Sequence, residues 1–332
     1  MLCPLCSNPG RKYGFDRKGR QRYFCKECSL AYAEPSPPRA FGNQYLMMDK
    51  AALAIRLLIE GCSVRSICRT ARIGKYTLQQ LMLRVGEGCA RLMEEKIVGL
   101  PCRSVQLDEL WSFVYCKART LRRLPYADDE LGDCWAWTAL EPKTKLLLCY
   151  VVGKRDHSSA REFLRKLRRA TSGRFQLDTD GLPIYRTLIP VEFGSQQDHA
   201  QIVKIFSTPA EGEARYSPPQ ITDLHITVGS GNPDLKAAST SFVERMNLSF
   251  RMMLRRFTRL TNGHSKSWRH HEAAIGLMLF FYNFCRPHMT LTKRNEGRKT
   301  TPAMEALFAD HVWSIPEMIR AVIPEGEEAK AS

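Results

Sequence analysis

The run Val105-Gln106-Leu107-Asp108-Glu109-Leu110-Trp111-Ser112-Phe113-Val114 is rich in β-branched and aromatic residues, and it carries two acids in its middle. It reads as a strand. Downstream, Cys134-Trp135-Ala136-Trp137-Thr138-Ala139-Leu140 is followed by Glu141-Pro142-Lys143-Thr144-Lys145 and then by the apolar run Leu146 to Val152. Two apolar runs joined by a short polar turn containing proline predict a β-hairpin. With the first run beside it, a three-stranded antiparallel meander is expected.

The rest of the chain extends this order. Ser158 opens a helix through Arg169, Arg174 to Thr179 is a fourth strand, and Pro183 starts a short helix. Ile221 to Val228 reads as a fifth strand, and Ser241 to about Leu260 and Trp268 to Phe284 as long helices. Meander, helix, strand, helix, strand, helix is the order of an α/β protein with an RNase H-like mixed sheet and helices on both faces.

Three acids stand at the ends of these elements: Asp108 within the first strand, Asp180 after the fourth, and Glu244 in the first turns of a helix. In such a sheet the first and fourth strands are neighbours, so the two aspartates meet near the strand ends and the glutamate reaches in from the side. Three carboxylates in one cleft repel one another. Divalent cations relieve that repulsion, and hard oxygen donors favour Mg²⁺ or Mn²⁺. Two such ions about 4 Å apart can activate a water on one side of a phosphodiester and stabilise the leaving oxygen on the other. Taken singly, each acid is also what a turn or cap would use, and Asp178 and Glu109 are alternates to their neighbours. Glu109 is expected on the opposite face of its strand from Asp108.

The N-terminus has a different character. Cys3 and Cys6 form one Cys-x-x-Cys pair and Cys25 and Cys28 another, with eighteen residues between them. Four thiolates at that spacing suit one structural Zn²⁺, whose binding supplies folding free energy on the order of 10 kcal/mol to a segment too small for its own core. A disulfide pair or redox site is the alternative. The other eight cysteines are scattered singly and outline no disulfide framework. Residues 1–34 are therefore read as a zinc ribbon and 35–43, with Pro35, Pro37 and Pro38, as a linker.

Residues 44–98 show helical spacing broken at Gly61 and again near Ile73-Gly74, with Ser63 placed as a cap. Helix, turn, short helix, turn and final helix is the order of a helix-turn-helix, with Lys75, Tyr76, Thr77 and Gln80 facing a DNA major groove. A three-helix bundle that binds nothing, or a spacer, has the same pattern. The catalytic domain is assigned to 99–290, and 291–332 to a C-terminal extension ending in a disordered tail.

Charge favours a polyanionic partner. The chain has 50 Lys and Arg against 34 Asp and Glu, a formal charge of +16. Arg251 lies seven residues after Glu244, on nearly the same helical face, and Arg255, Arg256 and Arg259 continue a positive stretch suited to a phosphate backbone. The most apolar stretch, Ala273 to Phe284, is about half of the roughly 20 residues needed to cross a bilayer. No membrane partner and a cytoplasmic, nucleoid-associated location are expected.

At these residues the chain resembles a known family. Gln106 to Val114 is similar to the first acidic motif of the insertion-sequence-one (IS-one) transposases, of the DDE class. Thr179-Asp180-Gly181 with Tyr185, and Ser239-Thr240-Ser241-Phe242-Val243-Glu244-Arg245-Met246-Asn247, are similar to its second and third. Further matches are Arg255 to Asn262, Tyr282 to His288 and Thr301 to Met304, all in the family's order, and the cysteine pairs plus helix-turn-helix look like its end-recognition module. The resemblance implies a DNA transposase that binds its element's terminal inverted repeats, cuts 3′ ends and transfers them to target DNA. It implies that Asp108, Asp180 and Glu244 hold two Mg²⁺ ions, that Arg251 takes the basic place beyond the glutamate, and that at least two protomers act together on DNA. A catalytically inactive DNA-binding regulator and an RNase H-like nuclease are the alternatives. The stretch from Glu192 to Tyr216 has no assigned role.

Overall fold

The computed structural model describes residues 1–17, 19–34, 46–123, 130–207, 221–258 and 262–323. The proline-rich linker, Arg259 and the tail from Glu325 lie outside the described residues. Two compact units divide between Met48 and Asp49.

The first unit is a three-stranded antiparallel sheet of β1 (Arg11–Phe15), β2 (Gln21–Cys25) and β3 (Leu30–Ala33). Cys3 and Cys25 are buried, while every residue of β1 is exposed. Apolar burial alone therefore contributes little here.

The second unit begins with three helices, α1 (Met48–Ile59), α2 (Val64–Ala71) and α3 (Lys75–Lys96). Ser63 caps α2, its Oγ accepting the Ser66 amide at 3.2 Å, and Arg72 turns the chain in the left-handed region at φ 51°. Helix α3 runs on to Lys96 because Leu81, Val85, Cys89 and Met93 keep one buried stripe at four-residue spacing.

Next come β4 (Leu100–Pro101), β5 (Ser104–Val114), α4 (Ala118–Leu121), β6 (Gly132–Leu140), β7 (Leu147–Gly153), α5 (His157–Ala170), β8 (Thr171–Ser172), β9 (Gln176–Thr179) and α6 (Pro183–Phe193). They are followed by β10 (Asp198–Phe206), β11 (Ile221–Ser230), α7 (Ser241–Met253), α8 (Trp268–Phe280), α9 (Met289–Arg294), α10 (Pro302–Glu305) and α11 (Ile315–Val322). The main sheet has the order β7-β6-β5-β9-β10-β11. The meander β5-β6-β7 is antiparallel, β9 runs parallel to β5, β10 parallel to β9, and β11 antiparallel at the edge.

The strand β10 is an addition to the expected order, and it places Ile221–Ser230 sixth in the sheet rather than fifth. Its first half carries buried His199 and Gln201 among Ala200 and Ile202, a mixture that masks strand periodicity in the sequence. Helix α7 also stops earlier than expected, at Met253, and Arg255–Phe257 form a separate 3-10 turn.

Side chains of opposite parity on β5 and β6 enter two cores. On one side Trp137 packs against Phe163 of α5 and Tyr185 of α6, with ring centroids 6.1 and 6.0 Å away. On the other, the buried Oε1 of Gln106 accepts the amides of Phe242 and Val243 at 2.9 and 3.0 Å and so docks the first turn of α7 on β5. Helices α3 and α8 touch backbone to backbone, since a Cβ at Gly86 would lie 2.0 Å from the Ala273 carbonyl oxygen.

Candidate active site and zinc centre

Strand β9 pairs with β5 only as far as Gln106 opposite Asp178, and it ends at Thr179. Strand β5 continues to Val114, so a gap opens beyond the end of β9. Two residues further along both parallel chains, Asp108 comes level with Asp180. Open α/β sheets bind ligands outside the carboxyl ends of their strands, which is where this gap lies.

Asp108 faces α7. Its Oδ2 accepts the Asn247 Nδ2–H at 2.7 Å and its Oδ1 the Glu109 amide at 2.9 Å. Glu244, in the first turn of α7, accepts from Thr240 Oγ1 at 2.5 Å and pairs with Lys204 of β10. Asp180 accepts the Leu182 amide at 2.9 Å and lies 3.6 Å from Arg155. Asp108 and Glu244 line one open cleft of about 530 Å³ with Asn247 and Arg251. Glu244, Asn247, Leu248 and Arg251 therefore share one face of α7.

Electrostatics link the three acids. Burial pushes the Asp108 carboxyl up to about 6, opposed by the Asn247 amide and reinforced by the charges of Asp180 and Glu244. The carboxylate oxygens are not gathered as tightly as the four thiols. Among the described residues, the cysteine set is the one group of three or more His, Cys, Asp or Glu ligand atoms lying within 4.8 Å of one another.

The two alternate acids have separate work. Asp178 is buried and accepts Gln176 Nε2 at 2.8 Å and the Ser239 amide at 3.2 Å, which ties the loop before α7 to β9. Glu109 points to the opposite face from Asp108, toward α6. Its side chain is 1% exposed, accepts the Tyr185 hydroxyl, and lies 3.1 Å from Arg155, the same guanidinium that reaches Asp180. Burial, then the Asp180 charge, pushes Glu109 up to about 7 against the help of Tyr185 and Arg155.

Of the basic candidates, Lys75 and Tyr76 are exposed at the start of α3, whereas Thr77 and Gln80 are half-buried. Arg255 is exposed on the 3-10 turn. Arg256 turns inward, donating to the His270 carbonyl at 2.6 Å and to the Met82 sulfur at 3.7 Å, and burial pulls its guanidinium down to about 10. Sequence reasoning gave no role to Asn247, Lys204 or Arg155. Asn247 was within reach, three residues from Glu244 on a helix. Arg155 and Lys204 come from distant segments, and nothing local marks them.

The four thiols of Cys3, Cys6, Cys25 and Cys28 converge, with Cys6 and Cys25 Sγ 3.5 Å apart. Tetrahedral Zn–S bonds of about 2.3 Å place sulfurs about 3.8 Å apart, so the set fits one zinc ion. Both pairs end in the same backbone turn: Ser7 and Ser29, each directly after the second cysteine, lie at φ 59° and 49°. Desolvation raises Cys3, but the amides of Cys6 and Leu5 outweigh it and draw the thiol down to about 7. Cys28 is pushed up to about 12, first by its hydrogen bond with Cys6. Four thiolates together need a cation.

No protein-family model and no curated protein matches the chain. Among solved structures, the piggyBac transposase synaptic complex with hairpin DNA is similar at 10% identity and TM-score 0.39, over 87% of this chain and 76% of that one. Among the described residues no helix is long and apolar enough to cross a membrane.

Proposed function

We propose that this chain is a DNA transposase of the IS-one type, with an RNase H-like catalytic sheet in which Asp108, Asp180 and Glu244 hold two Mg²⁺ or Mn²⁺ ions. The observation that carries the reading is the parallel register of β5 and β9, which brings Asp108 level with Asp180 beyond the end of a strand. The helix docked by Gln106 then turns Glu244 and Arg251 into one cleft with Asp108. The sheet order and the meander-helix-strand succession support the RNase H-like assignment.

The donor set suits hard cations. Asp108 and Glu244 share their cleft with Asn247, whose amide oxygen Oδ1 is buried and without a hydrogen-bond partner among the described residues. Ions bound there would activate a water or a 3′ hydroxyl for attack on a phosphodiester and stabilise the leaving oxygen. The chain's own residues do the positioning. Asn247 fixes the rotamer of Asp108, Gln106 fixes the origin of α7, and Arg251 offers positive charge two helical turns from Glu244 for a phosphate. Lys204 and Arg155 neutralise Glu244 and Asp180. The zinc module and the exposed start of α3 recognise element ends, and two or more protomers pair them on DNA.

Purified protein is incubated with labelled DNA spanning the flanks of its own gene, with Mg²⁺, beside Asp108→Asn. Site-specific nicking and joining by the wild type alone is the expected result. Binding without cutting assigns the chain to the regulators, and preference for RNA–DNA hybrid without joining assigns it to the nucleases.

A further inference from the structure

On the side of β5 that carries Glu109, the next two outward positions are Trp111 and Phe113. Both are half-buried, and their ring centroids are 5.7 Å apart. The ladder continues into His264, 4.8 Å from Phe113, because the 264–266 segment bridges beside the end of β5, where the Tyr115 amide donates to the Ser265 carbonyl at 2.8 Å. Trp135 of β6, register partner of Trp111, is half-buried on the same face. Two residues further into the sheet, Trp137 is wholly buried against α5 and α6. The rings beyond it lie where that cover ends, and the row starts two residues from Glu109, on the face of β5 opposite the Asp108 side chain.

Positive charge borders the rings. The Lys117 ammonium sits 5.7 Å from the Trp111 ring centroid, and Arg119 and Arg122 are exposed on and just after α4. Aromatic faces interleaved with cations suit unpaired bases, since every base offers a π-face and its phosphate needs a counter-charge. A duplex has its bases already stacked and cannot use the rings in this way.

We propose that Trp111, Phe113 and His264 form a stacking platform for the bases of single-stranded DNA at the outer end of β5, on the face opposite Asp108, with Lys117, Arg119 and Arg122 along its backbone. The proposal rests on the DNA reading above, but its test does not need cutting. Full-length protein is titrated by fluorescence anisotropy with oligo-dT of about 16 nucleotides, with a fully abasic strand of the same length, and with oligo-rU. The wild type is expected to bind oligo-dT at least about 10-fold more tightly than the abasic strand, since base–aromatic stacking is worth about 1–3 kcal/mol per base.

Trp111→Leu and Phe113→Leu should each collapse that ratio toward one, while Trp111→Phe keeps most of it. Arg119→Gln should weaken both strands equally and flatten the salt dependence. Melting curves of each variant identify any that fail to fold, and Trp111→Phe keeps the test sound if Trp111→Leu is among them. Equal binding of oligo-dT and the abasic strand by wild type, or a ratio untouched in folded Trp111→Leu, overturns the platform. Tighter binding of oligo-rU than oligo-dT overturns its assignment to DNA. Metal-dependent nicking of duplex, measured beside these titrations, reports on the proposed function separately.

Discussion

Replacing Asp108 by asparagine should make the metal-free protein more stable while removing its proposed chemistry. Burial and the neighbouring acids raise the Asp108 carboxyl from 3.8 to about 6. About two pK units at about 1.4 kcal/mol each is about 3 kcal/mol. The folded-state value lies above the unfolded one, so the folded state binds the proton more tightly. That advantage is complete below 3.8 and is lost as the pH rises through about 6, leaving the ionised carboxylate as a cost to the fold at pH 8. An amide carries no charge and escapes the cost.

It also keeps its contacts. One oxygen still accepts the Glu109 amide, and the Asn247 side chain can turn over to offer its Oδ1, which has no partner among the described residues, to the new NH₂ group. Allowing about 1 kcal/mol for imperfect geometry, Asp108→Asn should gain about 2 kcal/mol at pH 8, or about 4–8 °C in Tm for a unit of this size. The assay is thermal melting of both proteins in EDTA at pH 8 and pH 4, then at pH 8 with Mg²⁺. The gap should nearly close at pH 4 and narrow with Mg²⁺, which stabilises the wild type alone. A variant melting at or below the wild type at pH 8, or a gap that ignores pH, refutes the reasoning.

Asp180→Asn and Glu244→Gln should each reduce metal-dependent cutting by at least about 1,000-fold with DNA affinity preserved, checked by nicking and gel-shift assays side by side; near-normal cutting removes that residue from the site. Cys25→Ser should lower bound zinc below one ion per chain by atomic emission and weaken end binding, and full stoichiometry would sink the zinc assignment. Gly86→Ala should destabilise the α3–α8 contact by about 1–3 kcal/mol in urea unfolding, because its Cβ would meet the Ala273 carbonyl oxygen at 2.0 Å. Arg255→Ala should reduce the slope of log K against log salt by about one, whereas Arg256→Ala should leave the slope alone and lower the melting temperature.

The meander and the helical starts were legible because their residues obey local rules. The Glu141–Lys145 turn, the Ser63 cap and the Pro183 helix start all match contacts or elements in the structure. Strand β10 was not legible, since His199 and Gln201 look polar in sequence yet are buried beside β9 and β11. The inward turn of Arg256 was equally hidden. A run of arginines reads as one surface, but the helix ends at Met253 and the change of backbone direction sends neighbouring guanidiniums to different places. The partners of the acids, Arg155 and Lys204, come from a strand-to-helix turn and from the unexpected strand, so only the assembled sheet brings them near.

The early end of β9 also makes this cleft a matter of counting. Asp108 and Glu109 are adjacent acids on opposite faces, and their level against Asp180 is set by a parallel pairing only three residues long, from Ser104 with Gln176 to Gln106 with Asp178. Inserting one residue between Gln106 and Asp108 would turn the aspartate toward α6 and send its successor to α7 with a longer arm, while leaving charge and composition almost unaltered. A variant library scored by residue identity would overlook such a change. One scored by insertions should find 104–108 and 176–180 intolerant to a single added residue and the outer end of β11 indifferent to it.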